Sequence, residues 1–444
     1  MIDIKLIREN MPLVKAQLTR RGCDANVEEI AELDAQWREL TAKTETMRAD
    51  RNRLSKECKS NPEAREQVKA LKVELQELED KLNEITAAIQ ERLSWLPNLL
   101  ADDVPDGKDD NDNLELRKEG VKPVFDFKPR DHQELGELLD IIDTQRGAKV
   151  AQTGFYYWKG KGAQLAQSLF FWAQRELVNR GFTLFMTPCA AKERTLYGTG
   201  YLPFFADQTY QLTNEDLALI GTSEQTLVGY HADEVLDEAD LPLCYTAYTP
   251  CFRTEAGSYG KASKGIFRVH QFHKVEQIVF CKPEESVKYH EMCLANEEYL
   301  LKQLNIPYRV VNVCVGDLGA PGSKKYDIEA YFAGFDAYRE VTSNTNLTDF
   351  QAGRLNIRCK RADGSRTFVH TISATAVTDR VLIAILENNQ QAPALADAYN
   401  RIGDCLNQNR QFAQAEENYT HAAQLQPSAG DYSVYQKGFL LGLQ

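Results

Sequence analysis

Between residues 27 and 95 one pattern dominates: Leu33, Trp37, Leu40, Thr44, Met47, Arg51 and Leu54 follow one another in steps of four and three. After a break at Lys59-Ser60-Asn61-Pro62 the same alternation runs through Val68, Leu71, Leu75, Leu78, Leu82, Ile85 and Ile89. That spacing is a coiled-coil seam, and the break predicts two helices folded back as an antiparallel hairpin. At about 1.5 Å per residue, helices of about thirty residues are roughly 45 Å long. A hairpin of that length is expected to project from its domain. Leu96-Pro97-Asn98 ends it, closing an N-terminal helical region over 1–100.

Residues 101–129 are rich in Asp, Gly, Asn and Pro, with the run Asp109-Asp110-Asn111-Asp112, and predict a linker. From 130 to 391 the pattern mixes periods. Residues 132–142 and 164–181 have helical periodicity, the second with Leu165, Leu169, Phe170 and Leu177 on one face. Short β-type runs follow at 243–248, 266–280, 308–315, 326–331 and 368–371. Strands without intervening helices predict an antiparallel sheet in an α+β domain.

Charge narrows the function classes. The 444 residues carry 52 Lys and Arg against 65 Asp and Glu, a formal net charge of −13. This argues against blanket binding to nucleic acid or an anionic membrane. A local basic face survives: residues 41–75 hold nine basic side chains against six acidic ones. Arg48, Arg51, Arg53 and Lys56 at this tip are candidates for contact with a polyanion backbone, although a solvated coiled-coil surface gives the same pattern. No apolar run is long enough to cross a bilayer. The opening decapeptide lacks the apolar core of a signal peptide. The ten cysteines form no C-x-x-C pair, so neither a disulfide framework nor a zinc knuckle is expected, and a reducing cytoplasm is. His270 and His273 form an H-x-x-H, but on a strand they face opposite ways, which excludes shared metal ligation.

The tail over 392–444 changes character. Tyr399, Ile402, Gly403, Leu406, Ala415, Tyr419, Ala422 and Pro427 occupy the signature positions of one tetratricopeptide-like repeat. Gly403 and Ala415 are small where two helices cross, and Tyr419 fills the gap. One repeat cannot bury its own face, so it is expected to pack on the body, on a second subunit or on a protein partner.

The chemistry concentrates in Thr249-Pro250-Cys251-Phe252-Arg253-Thr254-Glu255-Ala256-Gly257-Ser258-Tyr259-Gly260 and in Gly265 to Glu276. Read as two strands, period two places Arg253 with Glu255, and Arg268 with His270, Phe272, Lys274 and Glu276. Guanidinium groups for phosphate, a ring for a base and carboxylates for a metal or ammonium suit a nucleoside triphosphate. Arg253 and Glu255 alone would equally make a surface ion pair.

These segments resemble motif 2 of class II aminoacyl-tRNA synthetases, and specifically the seryl-tRNA synthetase family. Phe185-Met186-Thr187-Pro188, followed by Gly198 to Pro203, resembles motif 1 and its sequel. Gly221-Thr222-Ser223-Glu224 resembles the serine-binding loop, and Tyr338-Arg339-Glu340-Val341-Thr342-Ser343 an ATP-site strand. His370 to Thr375, with Arg380 and Ala384 to Asn388, resembles motif 3. The resemblance covers residues 1–391 and implies an ATP- and Mg2+-dependent serine–tRNA ligase, homodimeric through motif 1. Its arm would contact serine tRNA, with selenocysteine tRNA as a further acceptor.

By that resemblance, Thr222, Glu224, Glu276 and Thr375 bind serine. Arg253 and Arg380 are catalytic through the phosphates. Thr254, Glu255, Phe272, Glu340, Val341, Thr342 and Ser343 complete the ATP site, and Glu340 and Ser343 bind the metal. Three positions depart from the family pattern. Ser373 and Ala374 replace the usual Asn and Gly, and Asp379 directly precedes Arg380, where it opposes an anion unless it points away. A relative that is non-catalytic, or that loads another acceptor, is the alternative these departures leave open.

Overall fold

The computed structural model describes residues 2–57, 62–256, 265–390, 392–425, 432–433 and 436–437. The chain divides into two compact units, 1–100 and 101–444.

The first unit is helical: α1 (Ile4–Arg20), α2 (Val27–Glu57) and α3 (Pro62–Ser94). Contacts between Glu29 and Arg92, Trp37 and Thr86, and Lys43 and Glu74 show α2 and α3 running antiparallel. Every expected seam residue is buried or half-buried. Met47, Leu75 and Leu78 pack with Leu40 and Leu71, while Ile7, Val14, Leu18, Ile30, Ile89 and Leu93 form a second core. The expected turn at 59–61 lies outside the described residues. Pro62 opens α3, where its missing N–H costs no helical hydrogen bond.

The second unit is built on an eight-stranded sheet: β1 (Leu114–Glu119), β2 (Thr183–Phe185), β3 (Leu243–Phe252), β4 (Gln271–Cys281), β5 (Tyr308–Asn312), β6 (Lys324–Phe332), β7 (Ala337–Thr348) and β8 (His370–Thr378). Their order is β1-β5-β6-β7-β8-β4-β3-β2, antiparallel throughout except for the parallel pair β2 and β3. Helices α4 (His132–Leu138), α5 (Gly160–Asn179), α6 (Ser223–Gly229), α7 (Ser286–Gln303), α8 (Phe350–Leu355) and α9 (Asp379–Asn388) surround it.

Strand β4 shows how the layers are sorted. Val275, Val279 and Cys281 point into the core shared with α5 and α7. Ile278 and Phe280 point into a second core with Leu227, Val228 and Leu355 of α6 and α8. The even-numbered residues before them, Phe272, Lys274 and Glu276, line an open cleft.

Three expectations are corrected. Residues 101–129 are not wholly a linker, because β1 hydrogen-bonds to β5 as the outermost strand of the sheet. The strand expected over 266–280 begins only at Gln271, and the helix expected over 132–142 stops at Leu138.

The tail forms helices α10 (Ala392–Gln408) and α11 (Phe412–Leu425). Tyr419 is buried against Gly403, where a Cβ would meet the ring at 2.6 Å. The pair packs on the body: Arg175 of α5 donates to the Gln408 carbonyl at 2.7 Å, and Lys161 of α5 meets Glu417 at 2.8 Å.

Candidate active site

The cleft has a volume of about 340 Å³, within the range of small-molecule sites. Its two ends differ in charge.

One end is lined by carboxylates. Glu224, in the first turn of α6, accepts from Gln351 Nε2 at 2.6 Å and from the Tyr201 hydroxyl at 3.1 Å. Glu276 sits opposite Thr375 in register, and the Thr375 hydroxyl donates to its Oε1 at 3.1 Å. Lys274 also pairs with Glu276. Burial and the like charge of Glu276 push the Glu224 carboxyl above its ordinary range, against Lys274, Ser373 and Gln351. Burial and the Glu224 charge likewise keep the Tyr201 phenol protonated as a donor. Two desolvated carboxylates against one lysine leave a net negative charge, which an ammonium ligand offsets.

The other end is cationic. Arg253 follows β3 and reaches the Gly221 carbonyl, with its guanidinium 5.2 Å from the centre of the Phe272 ring. Its backbone is clamped by His270, whose carbonyl accepts from Arg253 N–H at 3.0 Å. Arg268 pairs with Glu255 at 2.7 Å, and Arg380 pairs with Glu340 at 3.0 Å. Desolvation within the cleft works against the charge of the half-exposed Glu340, but Arg380, Lys325 and Arg253 together hold its carboxyl below the ordinary range.

Of the residues expected to bind serine and ATP, Arg253, Glu255, Phe272, Glu276, Glu224, Glu340, Val341, Thr342, Ser343, Thr375 and Arg380 all line this cleft. Two do not. The Thr222 hydroxyl caps α6 by accepting from Glu224 N–H at 3.2 Å, and Thr254 donates to the Asp207 carbonyl at 2.5 Å. The shared face expected for Arg253 with Glu255, and for Arg268 and His270 with Phe272, does not come from strand alternation. Strand β3 ends at Phe252, and Glu255 takes a left-handed backbone, φ 52°. His270 turns aside to stack on Phe155.

The departures acquire roles. Asp379 accepts from Trp158 Nε1 at 2.8 Å and from His273 N–H at 2.5 Å, so its carboxylate ties α9 to β4, although the residue also lines the cleft beside Arg380. Ser373 lines the cleft and favours the ionised form of Glu224. Ala374 is buried in the core on the opposite face. Sequence reasoning missed Lys325, which lines the cleft and pairs with Asp327 at 3.1 Å. Only its alternation with Asp327 along a strand pointed to it. It also missed Gln351, which supports Glu224 from α8 and carried no local signal.

Residues 1–100 match the seryl-tRNA synthetase N-terminal domain, and residues 208–389 match the class II tRNA synthetase core domain for Gly, His, Pro, Ser and Thr. A serine–tRNA ligase of Dictyoglomus turgidum is 44% identical over 401 residues, covering 88% of this chain and 94% of its own. One from Treponema denticola is 42% identical over 402 residues, covering 88% and 95%. Among solved structures, seryl-tRNA synthetase from Pyrococcus horikoshii complexed with ATP is 41% identical, with a TM-score of 0.83 over 89% of this chain and 95% of that one. Prolyl-tRNA synthetase from Giardia lamblia, 15% identical with a TM-score of 0.51 over 57% of this chain and 51% of its own, shares the fold. With a carboxylate-lined end and a cationic end in one cleft, and with these relatives along nine-tenths of its length, the chain belongs to the seryl-tRNA synthetase family, the class II serine–tRNA ligases.

Proposed function

We propose that the cleft activates L-serine with ATP as seryl-adenylate and then transfers the seryl group to the 3′ end of serine tRNA. The observation that carries this is the opposition of charge: a buried carboxylate pair suits an amino-acid ammonium, and three arginines suit a triphosphate.

Glu224 and Glu276 take the serine ammonium, and Thr375 takes its hydroxyl. Alanine is rejected because the polar groups that serve the hydroxyl would be left unpaired. Phe272 stacks on the adenine and Glu255 holds its edge, while Val341 and Thr342 shape the floor. The serine carboxylate attacks the α-phosphorus. A carboxylate-to-phosphorus bond forms, the bond to pyrophosphate breaks, and pyrophosphate carries away the charge. Arg253 stabilises that charge at the α-phosphate, and Arg380 holds the distal phosphates. The tRNA 3′-terminal hydroxyl then attacks the seryl carbonyl and releases AMP.

The ionised Glu340 and the Ser343 hydroxyl are hard oxygen donors that fit Mg2+, which leaves most of its shell to phosphate and water. When bound, Mg2+ supplies positive charge against the phosphates.

On the arm, Arg48, Arg51, Arg53 and Lys56 meet the tRNA backbone. Arg48 and Arg53 already pair with Glu79 and Asp50, so tRNA exchanges those partners for phosphate. A homodimer is supported by the edge strand β2, where Leu184 is 50% exposed, and by Met186 directly after it, 99% exposed. No described helix is long and apolar enough to cross a membrane. The proposed use of tRNA and ATP puts the protein's work in the cytoplasm. The tail hairpin offers a site for a protein partner.

Serine-dependent ATP–pyrophosphate exchange, with threonine, alanine and glycine as controls, tests the first step. Exchange with serine alone, followed by aminoacylation of serine tRNA transcripts, supports the proposal. Folded protein without exchange overturns it in favour of a non-catalytic relative, and exchange without aminoacylation points to another acceptor.

A further inference from the structure

His132 opens α4 and is fully buried. Its Nε2 lies 3.1 Å from the Ile266 amide nitrogen, and its Nδ1 lies 2.8 Å from Glu387 Oε1 near the end of α9. The Ile266 N–H can only donate, so Nε2 is the acceptor and Nδ1 carries the proton to Glu387. Glu387 also accepts from the His132 backbone N–H at 2.9 Å and from Gly334 N–H at 3.0 Å. The approach needs glycine at 265: its φ is +70°, and a Cβ there would meet His132 Nε2 at 2.2 Å.

The next residue along, Phe267, serves Arg380. Its carbonyl accepts from Arg380 Nε at 3.3 Å, and its ring lies 4.6 Å from the guanidinium carbon. Arg380 and Glu387 share α9, two turns apart. A closed circuit results, from Arg380 through Phe267 and Ile266 to His132, then Glu387, and back along the helix. An arginine side chain is long and rotamer-rich, so its aim depends on what supports it.

We propose that His132 is a positioning residue for ATP: by pinning Ile266 to Glu387 it fixes the Phe267 shelf that aims Arg380 at the distal phosphates. This rests on the assignment of the cleft to ATP. His132 touches no substrate, and its effect is confined to the nucleotide end.

The test compares H132N, H132Q and G265A with the unaltered enzyme in serine-dependent ATP–pyrophosphate exchange, measuring KM for ATP and for serine separately, alongside thermal melting. Asn places its amide nitrogen near Nδ1 and keeps the bond to Glu387, but offers nothing to Ile266. Gln places its carbonyl oxygen near Nε2 and keeps the bond from Ile266, while the backbone N–H of residue 132 still holds Glu387, so the pin survives without the side-chain bond. H132N is expected to raise KM for ATP about tenfold with serine KM unchanged, as small misplacements of a binding group do. H132Q is expected to melt lower yet hold its KM for ATP. G265A, which pushes on Nε2, is expected to follow H132N. The proposal is overturned if H132N or a folded G265A leaves KM for ATP unaltered, or if H132Q raises it as far as H132N does. Arg380→Ala is the control: an unaltered KM for ATP there refutes the cleft assignment, whereas a raised KM there with an unaltered H132N refutes only the role of His132.

Discussion

Glu276 on β4 and Thr375 on β8 are register partners, and the threonine hydroxyl donates to the carboxylate at 3.1 Å across the strand boundary. An ammonium ligand and a hydroxyl ligand can therefore be read by one cross-strand pair. Glu276→Gln is expected to lower kcat/KM for serine in pyrophosphate exchange about a hundredfold, the scale of removing one partner of a buried charge pair. Thr375→Val is expected to cost about tenfold, the scale of one lost hydrogen bond. Unchanged serine kinetics in both variants would remove the pair from the serine site.

Arg253→Ala is expected to slow adenylation at least about a hundredfold, as loss of a transition-state charge partner does. Pre-steady-state formation of adenylate at saturating serine and ATP measures it. A near-normal rate would reassign the α-phosphate to Arg268 or Arg380.

Glu224 predicts a pH dependence. Burial and Glu276 raise its carboxyl in the folded enzyme, so the folded chain keeps this proton to a higher pH than the unfolded chain does. The unfolding free energy therefore declines as pH rises from the ordinary carboxylate range through the raised value, then levels. Serine's ammonium favours the ionised form, so KM for serine is expected to fall over the same interval. Glu224→Gln is expected to flatten the stability trend and to hold KM for serine at the weak level that the unaltered enzyme shows only at the acid end of the interval. A steep stability trend surviving in that variant would place its origin elsewhere.

Met186→Arg tests the exposed edge of β2. The side chain is 99% exposed in the single chain, so the substitution costs the folded protomer little. Sedimentation is expected to show a dimer for the unaltered enzyme and a monomer for the variant, with an unchanged far-ultraviolet circular dichroism spectrum. A variant that remains dimeric would move the interface off this strand.

Residues with local periodicity were legible from sequence. The seam positions of α2 and α3 fall where a four-three repeat puts them, and Phe272, Lys274 and Glu276 share a face because β4 alternates. Legibility failed where distant chain decides the structure. β1 is a strand because β5, nearly two hundred residues on, pairs with it, and its mostly solvent-exposed residues give no buried pattern. The expected alternation through Glu255 and Arg268 failed because the backbone turns at Glu255. The two still meet, through an ion pair that period two does not describe. Asp379 illustrates a third case. Beside Arg380 in sequence it read as an opposing charge, and only the approach of Trp158 and His273 shows it to be a bolt between helix and strand.

Because Phe272 and Glu276 lie four positions apart on one extended strand, their separation is set by peptide geometry at roughly 13 Å. That strand acts as a ruler between the station for the base and the station for the amino group. A descendant lineage could rewrite the side chains at 276 and 375 to welcome a different amino acid while the nucleotide station stayed where it was. Diversification of cargo on this scaffold needs new lettering at one end of the ruler and no new ruler.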